Sequence, residues 1–164
     1  MSHQPVIDGF EFASAGASQQ GALPLGDFPR LADALASDAG EVGYSVKGMR
    51  DEQGRPALRV AVRGMLSLRC QRCLEAIAFG VDSESILVLA ATQAEIDAEP
   101  ADPNSPERVL AGREMPVRDL VEDELILALP YAPRHADCAG RAGVDADAGV
   151  SPFSSLRGLM RDRH

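Results

Sequence analysis

Between residues 57 and 70 apolar and polar positions alternate: Leu58, Val60, Val62, Leu66, Leu68 and Cys70 share one side, and Arg59, Arg63, Ser67 and Arg69 share the other. A period of two predicts a strand with one face against a core and an arginine face in water. Gln53-Gly54 supplies a turn back to an earlier strand over 41–49, and 71–75 turns into a later one over 76–90, so the middle of the chain reads as an antiparallel meander. Upstream, 6–13 and 19–25 read as short strands separated by Ser14, Gly16 and Ser18. Asp27 is placed to cap a helix carrying Phe28, Leu31 and Leu35, with Pro29 in its first turn and Gly40 as its stop.

Beyond residue 91 the pattern changes. The stretch 92–105 is rich in Ala, Asp, Glu and Pro without an apolar stripe and reads as an exposed acidic loop. Pro116 then opens a helix to Leu129 in which Val117, Leu120, Val121, Leu125 and Ala128 recur at helical spacing. Asp119, Glu122, Asp123 and Glu124 are expected on its solvated side, and Pro130 ends it. Consecutive helical residues point in different directions, so the last three acids do not converge on a metal. Ser151 and Pro152 precede Phe153, Leu156, Leu159 and Met160, one face of a short terminal helix. Strands clustered centrally with helices after them predict an α+β fold: an antiparallel meander or barrel-like sheet covered by an amphipathic helix. A length of 164 residues suits one domain over 1–164, with 1–20 and 139–150 expected to be flexible.

Composition narrows the function. Only 4% of residues are aromatic and none is Trp, so the chain offers no dense platform for stacking bases. A net charge of -9 opposes non-specific attraction to phosphate backbones and leaves only local contacts. The charge is uneven, however. From Lys47 to Arg72 seven basic residues face only Asp51 and Glu52, whereas from Asp82 to Glu124 twelve acids face Arg108, Arg113 and Arg118. Arg59, Arg63, Arg69 and Arg72 are therefore the candidate RNA contacts, with pairing to the protein's own acidic loop as the alternative. The longest apolar run, Ile86–Ala91, is too short to span a bilayer, and the start carries no secretory pattern; a cytoplasmic protein is expected.

Cys70-Gln71-Arg72-Cys73 places two thiols on one tight turn, the usual half of a tetrahedral zinc site, and His135 with Cys138 supplies a second half. Three thiolates and one imidazole would saturate zinc, making a structural clip and not a catalytic centre. The alternative is free thiols, with Cys70 a small core residue. A thiol oxidoreductase is disfavoured because a redox CxxC opens a helix, and this one lies between strands. Phosphate-binding loops, HExxH pairs and nucleophile elbows are absent from the sequence, which points to a binding protein without a small-molecule substrate.

Three blocks, CQRCLE at 70–75, VEDELILALPYAPRH at 121–135 and PFSSLRGL at 152–159, together resemble the YceD family, bacterial and plastid proteins required for accumulation of large-subunit ribosomal RNA. The resemblance implies a non-enzymatic factor in ribosome biogenesis that acts through large-subunit ribosomal RNA, its precursor or a ribosomal protein, and it transfers no catalytic residues. Some relatives carry further cysteines after the Leu-Pro block, where this chain has only Cys138. A zinc-stabilised protein-interaction module without RNA contact is the alternative reading.

Overall fold

The structure, a computed structural model, describes residues 5–98, 102 and 105–138. Its centre is a six-stranded sheet built on the long antiparallel trio β4 (Glu41–Arg50), β5 (Pro56–Arg69) and β6 (Ala76–Ala90). β2 (Ser18–Pro24) borders β4, β3 (Leu35–Ser37) pairs with the far end of β5, and β7 (Glu107–Leu110) borders β6. The alternation that predicts β5 holds: Leu58, Val60, Val62, Leu66, Leu68 and Cys70 are at most 2% exposed, while Arg63 and Arg69 lie in water. Each such aliphatic side chain contributes about 1.5–3 kcal/mol on burial, so this face dominates the core.

Two helices cover the apolar face. α1 (Gly9–Ala15) packs on β4 and β5. A short helix, α2 (Gln93–Asp97), leans on β7, and α3 (Val117–Ala128) lies across β5 and β6. α3 buries Val117, Leu120, Val121 and Leu125, as its spacing predicts. It ends where Leu129 turns extended before Pro130, whose ring disfavours a helical predecessor. β1 (Val6–Ile7) and β8 (Met115–Pro116) form a separate two-stranded ribbon that ties the N-terminal segment to the start of α3. On the opposite sheet face Arg63, Arg69, Asp82 and Glu84 are exposed, as an antiparallel sheet permits, while Ala57, Val88 and Ala90 are buried at one end.

Several expectations are corrected. The sheet is open, not a closed barrel, and its β6–β7 pair is parallel. Residues 6–13 are not one strand: β1 stops at Ile7, Asp8 accepts a hydrogen bond from the Glu11 amide, and α1 begins. The expected flexible stretch 1–20 thus includes β1, α1 and the first residues of β2. Phe28, Leu31 and Leu35 are buried as expected, but 29–34 form successive turns in place of a helix, and Leu35 begins β3. The acidic segment is not wholly unstructured, since Thr92 caps α2. Glu122 and Glu124 are 2% and 4% exposed, not solvated. Arg30 binds Glu122, and the hydroxyls of Ser83 and Ser85 donate to Glu124, which supplies the partners that buried carboxylates need. The expected terminal helix and the 139–150 segment lie outside the described residues. Among the described residues no helix is long and apolar enough to cross a membrane.

Candidate functional site

The β5–β6 turn is closed by the Cys70 amide donating to the Glu75 carbonyl at 2.8 Å and the Leu74 amide donating to the Cys70 carbonyl at 3.0 Å. Leu74 takes the left-handed conformation at φ 66, unusual for a leucine and a sign of how tightly the turn is wound. Cys70, the last inward position of the alternation, is buried, and Cys73 is half-buried at the tip. After α3 the chain returns to this turn, and the Gln71 amide donates to the Pro133 carbonyl at 2.9 Å. That contact delivers His135 and Cys138 to the two cysteines.

The four ligand atoms lie within 4.8 Å of one another. Cys70 Sγ and Cys138 Sγ are 3.8 Å apart, and Cys73 Sγ and His135 Nδ1 are 3.4 Å apart. A tetrahedral zinc with bonds of about 2.3 Å to sulfur and about 2.0 Å to nitrogen requires sulfur–sulfur edges of about 3.8 Å and sulfur–nitrogen edges of about 3.5 Å. The residues therefore fit the ion. His135 Nε2 sits 3.1 Å from the Ala76 carbonyl oxygen. A carbonyl only accepts, so Nε2 carries the proton and the Nδ1 lone pair faces the sulfurs, an orientation of the kind that backbone carbonyls impose on metal-binding histidines.

Electrostatics agree with that assignment. Burial acts to raise the Cys70 thiol, but amide hydrogen bonds from Cys73 and Arg72 outweigh it and lower it to about 5. Burial and hydrogen bonds with the Cys73 and Cys70 sulfurs push Cys138 up to about 11. The Cys70 side chain and the Ala76 carbonyl raise His135 above its ordinary value. The cluster accepts one thiolate and resists another, which is the condition that a divalent cation relieves.

Of the four candidate RNA contacts, Arg59, Arg63 and Arg69 share one face of β5, and Arg72 stands apart from that strand. Arg63 lies directly across from Asp82 and pairs with it at 2.9 Å; Arg59 reaches diagonally to Glu84 at 3.3 Å. Both partners are on β6 and not in the acidic loop. Arg69 stands further along β5, with Nη2 3.5 Å from the Leu35 carbonyl. Arg72 is on the cysteine turn, where its amide donates to Cys70 Sγ at 3.4 Å and its side chain is exposed. Arg134 is exposed on the returning segment and was not anticipated, because nothing local in the sequence shows that residues 71 and 133 meet.

A family model described as large ribosomal RNA subunit accumulation protein YceD matches residues 58–159, more than half of the chain. The match begins in β5 and takes in β6, α3 and all four members of the cysteine–histidine cluster. Neither a curated protein nor a solved structure matches.

Proposed function

The chain belongs to the YceD family, and on that premise we propose that it is a non-enzymatic factor in ribosome biogenesis, needed for accumulation of large-subunit ribosomal RNA and acting by binding. The observation that carries this reading is the family match across the sheet, the covering helix and the cysteine turn. Cys70, Cys73, His135 and Cys138 would hold a structural zinc ion. Bound there, zinc supplies four-point cross-linking of the β5–β6 turn to the segment after α3. With three sulfurs and one nitrogen as ligands its coordination is complete, and this supports a clip in preference to a catalyst.

The chain's own residues prepare the clip. The Ala76 carbonyl fixes the imidazole, the Pro133 carbonyl anchors the returning strand of chain, and amides of the turn stabilise the Cys70 thiolate. The test is depletion of the protein in its own cell, followed by quantification of large- and small-subunit ribosomal RNA. A selective fall in the large species, restored by the wild-type gene, is expected; an unchanged ratio sinks the reading. Elemental analysis of protein purified without chelator should find zinc in equimolar amount with the chain.

A further inference from the structure

The cysteine turn has an outward side as well as a metal side. Residues 71 and 133 are tied by a backbone hydrogen bond at 2.9 Å, and residues 73 and 135 by their side chains at 3.4 Å. Arg72 and Arg134 each lie between the two ties, one on either segment, and both are exposed. The two ties thus bring Arg72 and Arg134 alongside each other on the cysteine turn. Among the described residues neither side chain forms an ion pair, in contrast to Arg59 and Arg63. Exposed like charges brought close together favour an anion between them.

Tyr131, two residues before the anchoring Pro133, is as exposed as an isolated side chain at 104%. Leu74, at the strained turn, is 61% exposed. An exposed ring and an exposed aliphatic side chain on the same two segments as the arginines match the needs of an unpaired nucleotide, whose phosphate takes the guanidiniums and whose base takes the ring. Glu75 and Asp137 are the acids in the same segments and offset part of the charge. The acidic stretch after Ala90 does not, because β6 carries the chain through 15 residues, roughly 45 Å, before that stretch begins. Fields between exposed charges decay over about 10 Å at 0.1 M salt, so the two regions act independently.

We propose that Arg72, Arg134 and Tyr131 on the outward side of the cysteine turn form a contact surface for single-stranded RNA. The proposal rests on the ribosomal RNA reading above and names the partner chemistry of a surface on the same turn. One ring is not a stacking platform, so the two phosphate contacts carry most of the affinity. The zinc clip's part is positional, since it holds the two arginine-bearing segments together.

Fluorescence anisotropy with a labelled single-stranded oligoribonucleotide of about twelve nucleotides tests this on the full zinc-loaded chain. Arg72→Gln combined with Arg134→Gln should weaken binding about tenfold or more and reduce the slope of log affinity against log salt by about 1.4, the value for two single-strand phosphates. Tyr131→Ala should weaken it about tenfold with the slope unchanged. Arg59→Gln with Arg63→Gln should leave affinity as it is. Arg72, Arg134, Tyr131 and Arg63 are exposed and Arg59 is half-buried, and matched zinc content with matched circular dichroism separates a lost contact from a lost fold. Wild-type affinity in the Arg72/Arg134 variant overturns the proposal, as does equal affinity for a duplex of the same length. Failure of the wild type to bind RNA while a ribosomal protein is retained through this surface overturns it in favour of a protein partner. If depletion lowers large-subunit RNA and the double variant restores it fully, this surface is wrong and the broader function stands; if depletion changes nothing, the function itself falls.

Discussion

Glu122 receives Arg30 twice, from the backbone amide on Oε1 at 2.7 Å and from Nε on Oε2 at 2.9 Å. The carboxylate is 2% exposed, while the Arg30 side chain remains 49% exposed and also binds Asp123 at 2.6 Å. One end of the pair is therefore dry and the other wet. This staple joins the turns after β2 to the middle of α3. Removing the carboxylate leaves the Arg30 amide without its acceptor and a gap where a buried side chain stood, although the cation itself can turn to water. Glu122→Ala should lower unfolding free energy by about 2 kcal/mol, below the 3–5 kcal/mol typical of a fully buried pair because the guanidinium stays hydrated. The double variant with Arg30→Ala should lose less than the two single losses summed, as coupled residues do. Urea titrations of the two single variants and the double variant measure the coupling directly.

Two glycines offer a contrast. A Cβ on Gly48 would lie 2.1 Å from the Phe12 carbonyl oxygen, because α1 presses its last turns onto β4 at that point. A Cβ on Gly9 would lie 2.6 Å from Met115 Sδ, the flexible end of a long side chain. Backbone cannot step aside without displacing α1, whereas a thioether can rotate. Gly48→Ala should thus destabilise by about 3 kcal/mol or more, and Gly9→Ala by about 1 kcal/mol or less. Equal denaturation midpoints for the two variants would contradict this picture of α1 packing.

The readable parts of this sequence were those whose partners are close in the chain or whose period is long. β4, β5 and β6 follow from alternation over ten residues or more and from the turns between them. α1 was misread because Phe10, Glu11 and Phe12 imitate alternation over a short span, and the Asp8 cap outweighs it. Glu122 and Glu124 looked solvated because their partners are distant: Arg30 is 92 positions away, and Ser83 and Ser85 belong to β6. The edge strand β7 has four residues in an acidic region, too few to show a period, so its parallel pairing was invisible. The cysteine–histidine set was legible by residue type, yet its assembly depends on the hydrogen bond between residues 71 and 133.

At the opposite end of β5, Asp51 organises the turn from β4. Its Oδ1 accepts from the amides of Gln53 and Arg55, and its Oδ2 from Arg55 Nε at 2.7 Å. Burial acts to raise the carboxyl, but the Arg55 and Gln53 hydrogen bonds outweigh it and hold it below its usual value. A folded-state value below the unfolded one means that the stabilisation is present above about pH 4 and is lost as pH falls through the folded value. Asp51→Asn should accordingly be less stable than wild type at neutral pH, with the gap narrowing on acidification below about pH 4. Thermal unfolding of both proteins across that range checks the sign; a gap that widens in acid would reverse it.

Chelation gives the sharpest prediction for the metal clip. Binding to the folded state alone stabilises by RT ln(1 + [L]/Kd), about 4 kcal/mol when free ligand stands at a thousand times Kd. Removing zinc should therefore lower the melting temperature by several degrees, restored on adding zinc back. Outside the metal, and among the described residues, the turn and the returning segment are joined by the backbone bond at residues 71 and 133 and by the His135–Ala76 contact. The loss should be local: amide exchange should quicken at 70–76 and 131–138, while Val60 and Val62, fully inside the sheet, keep their protection. Cys73→Ser and Cys138→Ser should each reproduce the chelated exchange pattern and abolish the response to added zinc. The half-buried position of both sulfurs makes a cavity effect from these substitutions small, so it cannot mimic the loss of metal. A chelator-treated chain whose melting temperature and exchange pattern equal those of the zinc-loaded form would show that the sulfurs and imidazole hold this junction together without an ion.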